Sequence, residues 1–472
     1  MYMPSLKNVL AAVLMFGSPV AAVSANGADQ APSADEVNDR LVRSRAVEAV
    51  IWGMPIVNFD RMLRAAIQNG GAVNQVVYWS QPVNWQDQTL TPNPDTIYLN
   101  PFYDTRNGPV VLEIPSAEAD AVIVGTVDNA WQNALEDVGP AGADKGKGGK
   151  YLITPPGYKD KAPDGYIVLP SDTFQGFVVL RSNFKSRSPA DIAAAVAYGK
   201  RIKLYPLGAS PDTTVYVDVY DKPFDATIPY DASFFESLHR MVQIEPWLTR
   251  DKVMIDMLKT IGIEKGKPFA PEPHLKAILD QAPLEARVVI DQRYDALDPY
   301  NAGTHWTLPG TAGLLKGMAT SFADPDDYPV MERAILYSFA YFSPKHMGEG
   351  QFYLLSIKDN EGRRLEGTKT YRLTVPPNAP VKQYWSATAY DRETHALIRQ
   401  TARFSRGSNS SEVKKNADGS VDVYFGTSAF AGKESNWVPT AGRDFEVLFR
   451  FYGPGKELFD RTWKLPDLQE VK

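Results

Sequence analysis

Apolar residues recur near the start of the chain with the spacing of an amphipathic helix. Val42, Ala46, Val47 and Val50 fall at i, i+4, i+5 and i+8, which predicts a helix over residues 35–70. From about residue 108 the apolar positions gather into short runs that end at Gly or Pro, which predicts strands. This part of the chain is typical of an antiparallel sandwich or barrel, and not of repeated βαβ units. The predicted strands cover residues 110–114, 121–127, 151–154, 166–169, 176–181 and 214–219.

Helical spacing returns in the middle of the chain. Ser188 followed by a proline is a typical helix start, because the hydroxyl caps a free N–H and proline suits the first helical position. Ser233 and Glu236 have the spacing of a capping box, and Gly262 predicts the end of the next helix. Further helices are predicted over residues 275–279, 284–297 and 330–342.

Beyond Pro344 the pattern becomes strand-like again, with runs over residues 351–357, 370–375, 383–390, 421–425 and 445–451. Between them, residues 359–362 and 416–419 combine the Asn, Asp and Gly residues of hairpin turns. We predict an α+β fold that is mainly β, with two antiparallel β-sandwich or jelly-roll-like domains joined by a helical segment. The predicted boundaries are 26–220 for an N-terminal helix plus sandwich, 221–345 for the helical connector and 346–472 for the C-terminal sandwich.

The first 25 residues have the order of a secretory signal peptide. Lys7 precedes the apolar run 9–16, and small residues lead to Ala25, after which we predict cleavage. The apolar run is much shorter than the ~20 residues that a spanning helix needs, so we predict no transmembrane anchor. The alternative is a buried N-terminal helix, which the small and polar residues of 26–34 disfavour. The signal predicts a periplasmic or secreted protein.

The amino-acid composition excludes some kinds of site and of binding partner. The chain contains no cysteine, which excludes disulfides, a thiolate nucleophile and thiolate metal ligands. The net charge is -6 with both signs interspersed, and no basic stretch interleaves with aromatic residues, so nucleic acid is not a predicted partner. Aromatic residues make up 11% of the chain, which is typical of aromatic-rich sheets or of a stacking surface.

Short blocks in both halves resemble a known pair of families. Residues 91–98 (TPNPDTIY), 108–115 (GPVVLEIP) and 128–131 (DNAW) resemble the family called domain of unknown function 1254. The C-terminal half resembles its usual companion, domain of unknown function 1214, in the blocks YWSAT (384–388), DGS (418–420), NWVP (436–439) and RFYGP (450–454). The resemblance implies an exported bacterial protein with two β-rich domains. It supplies no catalytic residues.

The segment from Thr91 to Tyr98 is the sharpest candidate for a site. Its two prolines restrict their own φ angles and favour extended conformations in the residues before them, so the loop is stiff. Asn93 and Asp95 either present fixed oxygens to a ligand or form an Asx turn with the loop's own amides. Tyr98 is the aromatic candidate for ligand binding at the end of the segment.

Asp128 and Trp131 form a second candidate, directly after an apolar strand. The pair either binds a sugar, or Asp128 acts as a general acid with a raised pKa, or Trp131 fills the core beside a surface acid. Asp95 and Asp128 are the predicted catalytic residues. Working as an acid and base pair, as in glycoside hydrolysis, they would need a defined distance between their carboxyl groups.

Aromatic residues and arginines of the C-terminal half form a third set. We predict that a polyol, a carboxylate or an aromatic ring binds to these side chains, which are Trp385, Trp437, Arg403, Arg450 and Tyr452. The alternative is that the tryptophans lie in the sandwich core, where tryptophan is found more often.

The sequence contains no motif of a metal site or of a serine hydrolase. The histidines are far apart and lack the spacing of metal ligands, so no metal site is predicted. No G-x-S-x-G elbow is present, which disfavours an ordinary α/β-hydrolase triad. The sequence specifies neither a cofactor nor an oligomeric state. The histidines are His239, His274, His305, His346 and His395.

Two hypotheses of function follow. The first is an enzyme that handles a small hydroxylated or amphipathic molecule with carboxylate acid/base chemistry. The alternative is a non-catalytic envelope protein that binds a glycan or another small ligand, or a scaffold without a ligand. One cavity that holds Asp95, Asp128 and Trp131 would favour the enzyme, whereas a groove of Trp and Tyr without converging acids would favour binding alone.

Overall fold

The computed structural model describes residues 32–341, 343–346, 348 and 350–471. The chain divides into two compact units, Met1–Leu41 and Val42–Lys472. The predicted signal peptide lies outside the described residues. In the part of the chain that the structure describes, no helix combines the length and the apolar character needed to cross a membrane.

In the first unit, the described residues form the start of helix α1 (Ala34–Gln68). A capping box begins this helix: the Glu36 N–H donates to Ser33 Oγ at 3.2 Å, and the Ser33 N–H donates to the Glu36 carboxylate at 2.8 Å. The helix predicted over residues 35–70 is confirmed.

The N-terminal half of the second unit is built from short strands and one further helix. Its elements are β1 (Gln75–Tyr78), β2 (Asp87–Gln88), β3 (Ile97–Asp104), β4 (Val110–Ile114), β5 (Ile123–Asn129), β6 (Ala134–Val138), β7 (Gly149–Thr154), β8 (Ile167–Pro170), β9 (Gln175–Ser182), α2 (Pro189–Gly199), β10 (Lys203–Pro206), β11 (Tyr216–Asp218) and β12 (Phe224–Asp225). One sheet has the strand order β11-β1-β3-β9-β5-β6 and another has the order β10-β4-β7-β8, while β2 pairs with β12. Within these sheets the pairs β1–β11, β2–β12 and β7–β8 are parallel and the others are antiparallel.

The two larger sheets pack face to face. Leu99 and Val178 of the six-stranded sheet share one apolar core with Leu112 and Ile153 of the four-stranded sheet. Sheets that bury one face in this way form a sandwich.

Helices follow this sandwich along the chain. They are α3 (Ser233–Ile244), α4 (Lys252–Met257), α5 (Pro273–Tyr294), α6 (Ala312–Ala319) and α7 (Val330–Phe339), with 3-10 turns at Pro211–Thr213, Thr249–Asp251 and Leu258–Ile261. Two predicted helix ends are confirmed: Ser188 Oγ accepts the Asp191 N–H that caps α2, and Gly262 has a φ of 83° after the last turn.

Two local predictions about the helices are wrong. Ser233 and Glu236 form no capping box, because the Asp231 carboxylate accepts the backbone N–H of Ser233 at 2.8 Å and its hydroxyl at 2.6 Å. The predicted break near residue 283 is absent, since Pro283 lies inside α5. Proline removes one N–H from a helix, and apolar residues buried before and after it in α5 offset that loss.

The C-terminal half of the second unit is again β-rich. Its elements are β13 (Gln351–Ser356), β14 (Thr370–Val375), β15 (Trp385–Asp391), β16 (Ser405–Gly407), β17 (Val421–Gly426), β18 (Trp437–Pro439), β19 (Phe445–Tyr452), α8 (Lys456–Phe459) and β20 (Gln469–Val471), with a 3-10 turn at Glu434–Asn436. The sheets β13-β19-β15-β16 and β18-β17-β14-β20 enclose one apolar core. The fold is therefore α+β, with two sandwiches of mainly antiparallel sheets.

The outer faces of the two sandwiches share a third core. It contains Val179 of β9 and Leu448 of β19, together with apolar residues of α1, α3, α5 and α7. Helices thus fill the space beside both sheets, and the candidate site lies where polar residues replace apolar ones on these faces.

Candidate functional site

A buried arginine and a tyrosine stand side by side on the outer face of the N-terminal sandwich. Successive residues of a strand point to opposite faces, so Arg181 of β9 points away from the sandwich core that holds Leu180. The β3–β9 register pairs Tyr98 with Arg181. The Arg181 guanidinium lies 5.6 Å from the centre of the Tyr98 ring.

The C-terminal sandwich presents a matching pair. Phe449 of β19 enters the sandwich core, so Arg450 points to the outer face. Tyr353 of β13 is its cross-strand partner, and the Arg450 guanidinium lies 5.8 Å from the centre of that ring. Each sandwich therefore contributes one arginine and one tyrosine to the candidate site.

Three cavities meet at Arg181, which lines all of them. The widest has a volume of about 390 Å³ and is also lined by Tyr353. A second, of about 80 Å³, extends to Arg450, and a third, of about 70 Å³, is lined by Tyr98 and Asn100. The apolar wall of the second cavity comes from Leu314, Leu315, Met318, Leu336, Phe339 and Leu448.

Arg450 is a buried cation whose acceptors are neutral. It donates to Thr388 Oγ1 at 3.0 Å, to the Thr91 carbonyl at 3.0 Å and to Tyr390 Oη at 2.6 Å. Among the residues that the structure describes, none forms an ion pair with it. A buried charge is costly unless an opposite charge accompanies it, so an anion in the adjoining cavity would be stabilised.

Arg181 lies in a similar environment of phenols. Burial has the largest single effect and lowers the pKa of Arg181, but Tyr98, Tyr353 and Tyr452 together raise it by more, so the net pKa is raised. The guanidinium is thus charged and faces cavities on several sides.

The loop of Asn93 and Asp95 is fixed by its own hydrogen bonds. Asn93 Oδ1 accepts the Asp95 N–H at 3.0 Å, which is the Asx turn considered above. Asn93 Nδ2 donates to Tyr452 Oη at 2.7 Å, and Asp95 forms an ion pair with Arg187. Asn93 lines the second cavity together with Tyr98 and Arg450, whereas Asp95 lines none of the three.

Asp128 lies in the interior, with 0% of its surface exposed. Burial raises the pKa of Asp128 well above its usual range, and the nearby Asp137 raises it further. Asp128 lines none of the three cavities, so the structure does not bring it together with Asp95 in a common cavity.

Two of the candidate tryptophans pack in cores. The rings of Trp131 and Trp52 have centres 4.7 Å apart, and Trp385 stacks on Phe449 with ring centres 5.3 Å apart. Both indoles are buried, which agrees with the core alternative for these residues.

Trp437 and Arg403 form a separate cluster. Trp437 Nε1 donates to the Gly426 carbonyl at 3.0 Å, and Arg403 donates to the carbonyls of Glu434 and Trp437. Neither residue lines the three cavities. Of the predicted ligand-binding residues, the structure thus groups Asn93, Tyr98 and Arg450.

Sequence reasoning missed two features of the wide cavity. The first is Arg181. A single arginine in an apolar strand indicates a special position, but only the register of β3 and β9 shows that its side chain lies beside Tyr98. The other is an acid and histidine pair, since His346 Nδ1 lies 3.0 Å from Asp137 Oδ2 across 209 residues of sequence. Among the described residues, no group of histidines and acids has the arrangement of a metal site.

The comparison with known proteins finds two domain families in this chain. Residues 73–206 match the family described as "Protein of unknown function (DUF1254)", and residues 350–456 match "Protein of unknown function (DUF1214)". The chain therefore combines these two domains of unknown function, in the order that the sequence blocks indicated. No curated protein matches the chain.

Two solved structures were compared with this chain. The VPA0106 protein from Vibrio parahaemolyticus is 18% identical, with a TM-score of 0.55 over 91% of this chain and 100% of that chain. A putative uncharacterized protein from Burkholderia cenocepacia is 11% identical, with a TM-score of 0.42 over 93% of this chain and 96% of that one. At 18% identity the likeness to the Vibrio protein shows the fold alone.

Proposed function

We propose that the protein binds a small amphipathic molecule that carries a carboxylate. The observation that carries this proposal is Arg450, a buried cation that lines an otherwise largely apolar cavity and has only neutral acceptors in the described chain. Arg181 adds a second guanidinium at the junction with the wide cavity. A carboxylate suits this arrangement because guanidinium groups bind it with paired hydrogen bonds.

The shape of the cavities supports a small ligand. The wide cavity, at about 390 Å³, lies within the range of small-molecule sites, and the 80 Å³ cavity beside it offers an apolar branch. In the proposed pose the carboxylate contacts the arginines and the alkyl part lies against Leu336 and Phe339. Asn93 and Tyr98 contact the polar end.

Thermal unfolding tests this proposal without a known reaction. Octanoate at saturating concentration is expected to raise the melting temperature by a few degrees, because a ligand that prefers the folded state stabilises it. Octanol and octylamine have the same chain length without the negative charge, and we expect no such increase with either. Butyrate, which lacks most of the alkyl chain, should bind more weakly.

Two arginine variants make the test specific. Arg181→Met should abolish the stabilisation by octanoate, whereas Arg403→Met, which changes an arginine outside the cavities, should retain it. Equal stabilisation by octanoate, octanol and octylamine would contradict recognition of the carboxylate.

We also propose that the protein is exported and that its mature chain starts near Asn26. The charged, apolar and small residues of the first 25 positions support this proposal. Mass spectrometry of protein recovered from the periplasm or the medium should give a mass that lacks these residues. A full-length mass in that fraction would contradict the cleavage.

A further inference from the structure

Asp137 holds His346 in one orientation at the wide cavity. The Asp137 carboxylate accepts the backbone N–H groups of Lys345 and His346 at 2.9 Å and 2.6 Å, the Thr126 hydroxyl at 2.7 Å and His346 Nδ1 at 3.0 Å. The acid is buried, so these four donors fix both the carboxylate and the ring.

This contact determines which ring nitrogen is free to react. A carboxylate can only accept, so Nδ1 carries the proton and Nε2 of the neutral ring carries a lone pair. The His346 side chain is 40% exposed, and both His346 and Asp137 line the wide cavity that also reaches Arg181. An imidazole oriented by an acid in a cavity is the usual arrangement of a general base.

Water is the nucleophile that this arrangement can activate. The chain contains no cysteine, and the hydroxyl of Thr126, which lines the cavity, donates to Asp137. We propose that Asp137 and His346 activate water to hydrolyse a carboxylic ester whose acid half occupies the arginine-lined cavities. The inference rests on the proposed function, because the acid product is the proposed ligand.

The proposed step conserves atoms and charge. His346 Nε2 takes a proton from water while the water oxygen bonds to the ester carbonyl carbon, and the carbonyl oxygen becomes an oxyanion near Arg181. The bond from that carbon to the alcohol oxygen then breaks, and the leaving oxygen takes the proton from His346. The products are a carboxylic acid, which ionises in solution, and an alcohol.

The same chain contains a matched control. His305 Nδ1 lies 2.9 Å from Asp467 Oδ2, the His305 N–H also donates to Asp467, and the ring is 33% exposed. This pair does not line the wide cavity. It therefore reproduces the local chemistry of His346 without the proposed substrate site.

The experiment measures hydrolysis of p-nitrophenyl octanoate by the purified protein. Wild type should release p-nitrophenolate faster than buffer alone does. His346→Asn should lower kcat/KM by about 10²- to 10⁴-fold, the usual contribution of a general base. His305→Asn should match wild type. Stabilisation of His346→Asn by octanoate shows that it is folded.

The outcomes separate the two proposals. Wild type that is stabilised by octanoate yet hydrolyses the ester no faster than buffer overturns the inference and leaves the binding proposal intact. Equal rates for wild type and His346→Asn also overturn it. Hydrolysis that requires His346 but occurs without any stabilisation by octanoate supports the catalytic pair and overturns the proposed ligand.

Discussion

Replacing Glu446 by alanine is expected to lower the free energy of unfolding by about 3–5 kcal/mol, the usual effect of removing one partner from a buried polar pair. Glu446 is fully buried, and its carboxylate accepts Tyr294 Oη at 2.6 Å and lies 2.9 Å from His395 Nδ1. Burial raises the pKa of Tyr294 well above its usual value, so the phenol keeps its proton and remains a donor. Alanine would leave both donors in the core without an acceptor.

The same substitution should also weaken ligand binding. The His395 carbonyl accepts the Thr91 N–H at 2.7 Å, and the Thr91 carbonyl accepts Arg450 at 3.0 Å. Glu446 therefore supports the proposed cation of the cavity through two intervening residues. We expect less stabilisation of Glu446→Ala than of wild type by octanoate.

Urea denaturation at pH 7 measures the loss of stability. Glu393→Ala is the matched control, because it removes an exposed carboxylate that pairs with Arg443 at 2.6 Å. An exposed ion pair contributes about 0–1 kcal/mol, so this variant should remain close to wild type. A similar loss in both variants would contradict the special role of the buried carboxylate.

Local signals explain which parts of the fold the sequence predicts. Residues 110–114 and 370–375 are strands with the predicted ends, and the start of α2 follows from its Ser188 cap. Strand β3 was missed, because all eight of its residues are buried and Pro101 interrupts the pattern. A strand buried on both faces lacks the alternation on which sequence reasoning depends.

The candidate site depends on contacts between distant residues. Tyr98 and Arg181 meet through the register of β3 and β9, while Asp137 and His346 meet across 209 residues. No local spacing specifies either contact. Sequence reasoning nevertheless selected Asn93, Tyr98 and Arg450, because a stiff loop and an arginine beside aromatic residues leave a local signature.

Stability should also fall as pH rises from about 5 to 8, in part because of Glu245. Burial raises the pKa of Glu245 from 4.5 to about 7, against the lowering effect of the Gln175 and Phe174 N–H groups, while Asp104 raises it and Arg106 lowers it. The folded state therefore holds the proton more tightly than the unfolded state. This contribution is complete below about pH 4.5 and is lost as pH rises through 7.

The size of the effect follows from the pKa difference. A change of one in pKa corresponds to about 1.4 kcal/mol, so Glu245 should account for about 2–3 kcal/mol between pH 5 and 8. In Glu245→Gln the side chain is neutral at both pH values. The free energy of unfolding of this variant should therefore decrease between pH 5 and 8 by about 2–3 kcal/mol less than that of wild type. Glutamine accepts only one of the two N–H groups, so the test compares the change with pH within each protein and not the absolute stabilities.

Urea denaturation of wild type and variant at the two pH values provides the comparison. Glu236→Gln is the control, because Glu236 is exposed in the first turn of α3, the helix that ends just before Glu245. Its stability should change with pH as that of wild type does, because this substitution leaves the buried Glu245 carboxyl group in place. Parallel profiles for Glu245→Gln and wild type would mean that Glu245 ionises in the folded state as readily as in water, and that its burial is relieved by solvent.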